Sequence, residues 1–187
     1  MRRERIKPWK TLGSETGPGL KLFGSRFDHV ENPRNGMRME AVVIESEDWV
    51  NIVALTPARK IVLVEQYRFG TGKVSLEVPA GVVDPGESPL ETAKRELLEE
   101  TGYSSDNWKP IGSVESNPAF MNNACHFWLA TDAVQSSTQS LDEGEDIAIV
   151  ELTREELAGA IERGEMRNSL SLLALARVFD MRDGDWG

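Results

Sequence analysis

The sequence predicts an α/β (α+β) fold, strands covered by two or three helices, on three observations. Short apolar runs separated by turn signals occupy residues 21–81. Residues 89–101 carry a full set of helix start and stop signals. Two more helical patterns, 154–164 and 169–179, follow the last strand-like run.

At 187 residues the chain is long for one compact domain and short for two. The sequence divides into an N-terminal arm and β-rich segment, 1–55, and a main domain, 56–187. Residues 1–19 read as a polar, solvated arm with a basic start (Arg2, Arg3, Arg5, Lys7, Lys10). KLFGSRFDHV and MRMEAVVIE then flank ENPRNG, whose Asn35-Gly36 signals a hairpin. NIVALT and KIVLVEQYRF form a second strand pair around Pro57-Ala58-Arg59, and SLEVPAG is a short strand that stops at Pro79. Ser88 can cap the helix that follows, Pro89 suits its first position, and Glu91 completes a Ser-x-x-Glu capping box. Leu90, Ala93, Leu97 and Leu98 form its apolar stripe, and Gly102 stops it. PIGSVES and NACHFWLATDA read as strands joined by the loop NPAFMN. LDEGED is an acidic loop before the strand IAIVEL. Thr153 and Glu156 make a second capping box, and SLSLLALARVF is a last amphipathic helix.

Composition removes several function classes. A net charge of −10 argues against sequence-independent nucleic-acid binding, which draws its affinity from Lys and Arg on phosphates. The one cysteine, Cys125, cannot form an internal disulfide, which fits a reducing compartment. MRRERIKPWK lacks the apolar core of a signal peptide, and no apolar run approaches the ~20 residues of a membrane span. A soluble, cytoplasmic protein is expected. Gly70-Thr-Gly-Lys-Val lacks the first glycine and the Ser/Thr of a P-loop. Cys125 and His126 are strand neighbours that point to opposite faces, so they do not form a metal or nucleophile pair.

RELLEETGY, residues 95–103, breaks a local rule. It sets Glu96, Glu99 and Glu100 in and near the last turn, where the helix dipole favours Lys or Arg. At 100° per residue they span an arc of roughly 100° away from the leucine stripe. Glu96 and Glu100 form a like-charge i,i+4 pair, which costs about a few tenths of a kcal/mol. A solvated acidic face is the plain reading of such a helix. A divalent cation reverses the sign of each penalty, and carboxylates are hard ligands suited to Mg²⁺ or Mn²⁺. Arg95, four residues before Glu99, can fix that carboxylate's rotamer. The loop before the helix can expose the Ala80 carbonyl as a further ligand.

Spacing sharpens this. Gly81, five residues, Glu87, seven residues, then Arg95-Glu96-Leu97-x-Glu99-Glu100-x-Gly102-Tyr103 resembles the Nudix box over residues 81–103. That pattern is G-x5-E-x7-R-E-U-x-E-E-x-G-U, with U bulky and apolar; every fixed position matches and Tyr103 is an unusual U. The resemblance implies a Nudix fold, a mixed β-sheet sandwiched between helices. It also implies hydrolysis of a diphosphate linked to another moiety, with two or more Mg²⁺ or Mn²⁺ ions. Glu96 and Glu100 would be the principal metal ligands, with Glu99 assisting and the Ala80 carbonyl added. Arg95 would orient the glutamates and Glu87 would support the loop or an outer metal shell.

Outside the box, VEQYR (64–68) and SLEVPAG (75–81) are similar to the ADP-ribose and nucleoside-diphosphate-sugar pyrophosphatases of that family. The similarity implies that Arg68 meets the substrate diphosphate, which suits a bidentate guanidinium; an arginine closing a strand in a surface ion pair is the structural alternative. Pro118, sixteen residues after Gly102, matches the ADP-ribose branch, but NPAFMNN departs from it, with Ala119 for glycine and Asn123 for glutamate. The departure favours another nucleotide sugar, such as GDP-mannose. In LDEGEDIAIVELTREEL (141–157), Glu143 matches the catalytic base and Glu145 a neighbour that can touch metal. Phe120, with Trp49 and Phe27, is a candidate for stacking on the base. The N-terminal 55 residues imply a homodimer in this branch. The expected activity is metal-dependent hydrolysis of a nucleoside-diphosphate sugar to a nucleoside monophosphate and a sugar phosphate. The alternatives are an ADP-ribose-specific pyrophosphatase and a non-catalytic sugar-nucleotide sensor.

Overall fold

The computed structural model describes residues 7–179, in two compact units. One runs to Glu47 and takes in Glu115–Asn123; the other holds Asp48–Val114 and the chain from Ala124. Arg2, Arg3 and Arg5 of the expected basic arm lie outside the described residues.

The first unit is an antiparallel meander of β1 (Lys10–Thr16), β2 (Gly24–Glu31) and β3 (Arg38–Glu45). The Asn35-Gly36 hairpin forms as expected: Gly36 adopts φ +70° and donates to Asn32 O at 2.8 Å, and Glu31 pairs with Arg38. Strand β1 replaces part of the arm expected over 1–19. All seven of its residues are exposed. Backbone pairing with β2, through a bulge between Thr11 and Gly13, places it rather than apolar burial. No alternating apolar pattern therefore announces it in the sequence.

The second unit continues with β4 (Trp49–Leu55), β5 (Ile61–Arg68), β6 (Lys73–Glu77), β7 (Ala80–Val82), α1 (Pro89–Thr101), β8 (Tyr103–Ser104), β9 (Asn107–Glu115) and β10 (Ala124–Thr131). It ends with β11 (Val134–Gln135), β12 (Ile147–Leu152), α2 (Arg154–Glu162) and α3 (Ser169–Ala176). Its main sheet has the order β12-β5-β4-β10-β9, with β6 also on β5 and β7 on β4. The β4–β10 pair is parallel and the β4–β5 and β5–β12 pairs antiparallel, so the sheet is mixed. The division expected at residue 55 moves accordingly, because β4 lies inside this sheet. Ile52, Val53 and Ala54 are fully buried, the run of successive apolar positions that a strand covered on both faces requires.

Side-chain alternation puts helices on both sides. Ile52, Ala54 and Val62 pack with Ala93 and Leu97 of α1. Val53, Ile61 and Leu63 pack instead with Leu157 and Ala160 of α2 and with Ala174 and Leu175 of α3. The sheet also forks. Strand β4 meets β5 only at Ala54–Leu55, and β6 takes over from Glu77, opposite Val64. Glu77, Ala80 and Gly81 therefore lie where β4 and β6 part. Among the described residues no helix is long and apolar enough to cross a membrane.

Candidate active site

Both ends of α1 are held. The Ser88 side chain accepts from Glu91 N–H, and the Glu91 carboxylate accepts from Ser88 N–H at 2.8 Å, closing the capping box. Gly102 ends the helix at φ +71°, where a Cβ would stand 2.3 Å from Ser137 O. No basic residue occupies the last turn. Its carbonyls, which lack partners inside the helix, are met from downstream. Ser140 N–H donates to Glu99 O at 2.9 Å, Gln139 Nε2 to Glu100 O at 2.7 Å, and Ser136 N–H to Gly102 O at 2.9 Å. Gln139 Nε2 also donates to Ile147 O at 3.0 Å, so one side chain ties the end of α1 to the start of β12 across the acidic loop.

Arg95 is the hub of the acidic face. Its Nε donates to Glu87 Oε1 at 3.1 Å, its Nη2 to Glu87 Oε2 at 3.1 Å, and its Nη1 to Glu96 at 2.8 Å and Glu99 at 3.0 Å. Thr92 Oγ1 adds a bond to Glu87 at 2.7 Å. Arg95 and then Thr92 hold the Glu87 carboxyl below the usual range, and Glu87 more than any other group drives the Arg95 pKa up. Glu87 is thus a strut for Arg95.

Glu96 and Glu100 are different in kind. The Glu96 side chain is 14% exposed and Glu100 only 3%. Burial pushes Glu96 up to about 7, against the pull of Arg95, with Glu99 and Glu145 adding to the rise. Burial likewise pushes Glu100 up to about 8, although Ala80 N–H donates to its Oε2 at 3.0 Å. Glu96 and Glu145 raise Glu100 further, and Arg68 opposes them. Gly81 lies so close that a Cβ there would fall 2.0 Å from both Cδ and Oε1 of Glu96. The glycine of the motif is the space that Glu96 occupies.

The other expected site residues separate. Glu99, 41% exposed, is bound to Arg95. Glu145 is the acidic-loop carboxylate whose charge reaches both Glu96 and Glu100, and Glu143 is exposed on the same loop. Arg68 grips Glu77 through Nε at 3.0 Å and Nη2 at 2.6 Å, and Glu100 acts on it from the active-site side. Pro118 and Phe120 belong to the other compact unit; Phe120 is 46% exposed, and its carbonyl accepts from Ile44 N–H at 2.7 Å. Trp49 packs against the α2–α3 side of the core.

Three contributors were not singled out from the sequence. Glu77, 1% exposed, anchors Arg68 and also takes a 2.8 Å bond from Asn168 Nδ2, the cap of α3. A carboxylate between Leu76 and Val78 in an apolar strand is a readable signal. Gln139 and Asn168 act across the fold and leave no such trace.

The donor set suits a hard dication. A half-buried carboxylate, Glu96, and a buried one, Glu100, are both raised chiefly by burial, the second also by the first. They sit within the field of a third, and an uncompensated pair of this kind is costly. Among the described residues no three acidic or imidazole side chains are already gathered as a ligand set. Further donors to an ion would come from Glu99, Glu145 or the Ala80 carbonyl.

Comparison with known proteins bears on the same residues. The NUDIX domain family model matches residues 47–173. A methanol dehydrogenase activator of Bacillus methanolicus is 32% identical over 167 residues, covering 89% of this chain and 90% of the relative. An ADP-ribose pyrophosphatase of Bacillus subtilis (strain 168) is 30% identical, with the same coverage. One of Mycobacterium tuberculosis is 31% identical over 178 residues, 94% of this chain and 86% of the relative. A crystal structure of an ADP compounds hydrolase superposes with a TM-score of 0.81 at 25% identity, over 92% of this chain and 93% of that one.

Proposed function

The chain belongs to the Nudix family, and from that premise we propose that it hydrolyses the diphosphate of a nucleoside-diphosphate sugar, ADP-ribose first, to a nucleoside monophosphate and a sugar phosphate. The observation that carries this reading is the buried Glu96–Glu100 pair, packed on Gly81 and Ala80 and braced through Arg95. ADP-ribose leads because two of the relatives bear that name. GDP-mannose follows, on the departures at Ala119 and Asn123.

Mg²⁺ or Mn²⁺ held by Glu96 and Glu100 would neutralise the diphosphate and make a bound water a stronger acid. Arg95 keeps Glu96 and Glu99 in fixed rotamers, so no side-chain search precedes binding. Arg68, clamped by Glu77, keeps its Nη1 edge for a phosphate oxygen. Glu143 takes the proton of the water as its oxygen adds to phosphorus. The bond to the bridging oxygen breaks, and its electron pair leaves with the departing phosphate. Glu145 adds its charge to the side of Glu96 and Glu100.

Hydrolysis of ADP-ribose, GDP-mannose, UDP-glucose and nucleoside triphosphates with Mg²⁺ tests the proposal, with ADP-ribose expected to give the highest kcat/KM. No turnover of any of them with either metal would leave the sugar-nucleotide sensor as the reading. Gly81→Ala is expected to lower kcat by about 100-fold, because Glu96 must move by more than an ångström to admit the methyl group. Circular dichroism should show the fold retained; a variant of undiminished kcat would contradict the close packing of Glu96.

A homodimer is part of the proposal. On and beside the meander of the first unit Leu12, Leu22, Met39 and Val42 are 41%, 81%, 47% and 50% exposed, an apolar surface that a single chain leaves in water. Light scattering on the purified protein is expected to give twice the chain mass, and Val42→Asp to shift it toward one. A wild-type mass of one chain would remove the dimer.

A further inference from the structure

A cleft of about 520 Å³ opens beside the β5–β6 hairpin. Arg68, Lys73, Arg163 and Arg167 line it, together with two carboxylates, Glu77 and Glu165. The cleft therefore has an excess of two positive charges, on a chain whose net charge is −10.

Those cations are arranged rather than neutralised. Glu77 takes Nε and Nη2 of Arg68, and Glu165 takes Nε and Nη2 of Arg163 at 2.7 and 3.1 Å. Each pair occupies one edge of a planar guanidinium. Nη1 of Arg163 lies against Gly159, and Nη1 of Arg68 is the edge proposed for the scissile diphosphate. The cleft's spare donors are therefore those of Lys73 and Arg167. Arg167 is fixed by a bond from Nε to Gly164 O, and neither it nor Lys73 enters an ion pair among the described residues. Lys73 is the cross-strand partner of Arg68. Like charges directly opposite on a hairpin destabilise it unless an anion lies between them. The N-terminus of α3, capped by Asn168, adds a small positive potential at the same cleft.

We propose that this cleft binds a phosphate monoester dianion through Lys73 and Arg167, beside the scissile diphosphate that Arg68 meets. Such a group carries close to two negative charges at neutral pH and accepts several hydrogen bonds at once, which matches both the charge excess and the donors of Lys73 and Arg167. The phosphate can be free in solution or carried on the substrate as a further substituent. The binding claim does not depend on the hydrolytic reading.

The test is calorimetric titration of inorganic phosphate into the full chain at pH 8, with EDTA present to strip divalent ions from the glutamates. Saturable one-to-one binding is expected. The double variant Lys73→Ala/Arg167→Ala should weaken it by at least about tenfold, since two charge-assisted contacts are lost. Absence of saturable heat, or equal affinity in the double variant, overturns the site whether or not the protein proves to be a hydrolase. Kinetics then separate the two sources. If the phosphate is part of the substrate, the double variant loses kcat/KM on ADP-ribose bearing an added phosphate monoester and keeps it on ADP-ribose. If it is free, added orthophosphate alters the wild-type rate on ADP-ribose and leaves that of the double variant unaltered.

Discussion

Replacing Glu100 by Gln is expected to lower kcat by about 10³-fold, roughly 4 kcal/mol of transition-state stabilisation, while making the metal-free protein more stable at alkaline pH. The two effects share one cause. Glu100 is 3% exposed, and its carboxyl is pushed up to about 8, chiefly by burial. A carboxyl raised in the folded state contributes stability that is fully present below its unfolded pKa, near 4.5, and is lost as pH rises through the folded value. Glu96, pushed up to about 7, has the same sign. The melting temperature of the metal-free wild type should therefore fall between pH 5 and pH 9. Glutamine cannot ionise, yet its carbonyl oxygen can still accept from Ala80 N–H, so the variant should fall less over that window. Mg²⁺ should raise the wild-type melting temperature far more at pH 8 than at pH 5, where protons hold the ligands. Equal pH dependence in the two proteins, or undiminished turnover by Glu100→Gln, would falsify the assignment of Glu100 as a metal ligand.

Glu143→Gln is expected to lower kcat by between about 10² and 10⁴ with Mg²⁺ affinity unaltered, the loss that follows from removing a positioned general base. Glu145→Gln should act the other way round. Its charge reaches Glu96 and Glu100, so its removal should weaken Mg²⁺ binding and lower their pKa values. The two variants, compared by calorimetry with Mg²⁺ and by kcat at saturating metal, separate base from ligand. A loss below about tenfold with Glu143→Gln would be too small for a base, and the proton would have to go elsewhere. Glu143 stands on the loop between Gln139 and β12, and Gln139 bonds both Glu100 O and Ile147 O. That loop is thus tied to the helix that carries Glu96 and Glu100.

Much of this was legible in the residues because it depends on near neighbours. Helix α1 runs from Pro89 to Thr101 as its cap and stop signals require, and both capping boxes form. Each involves hydrogen bonds within a few residues, and those the chain encodes locally. Arg95 could be assigned to Glu99 for the same reason, being one helical turn away. The spacing of Gly81 and Glu87 from the helix marked the site, although the geometric reason for the glycine emerges only when Glu96 is seen to fill the place of its missing side chain.

What the sequence alone determined, then, is the local structure and the roster of charged groups; the fold decided which of them lose water and which meet. Glu96, Glu99 and Glu100 read alike along the chain, but only Glu96 and Glu100 are carried into the protein, and burial sets their proton affinity. Strand β1 is held by backbone bonds to β2, β4 by parallel pairing with β10, and Arg68 by a carboxylate on the neighbouring strand. The end of α1 that lacks a basic residue is satisfied by a segment some forty residues downstream. Such contacts are not written in periodicity or caps, because their energies exist only once distant parts of the chain exclude solvent together.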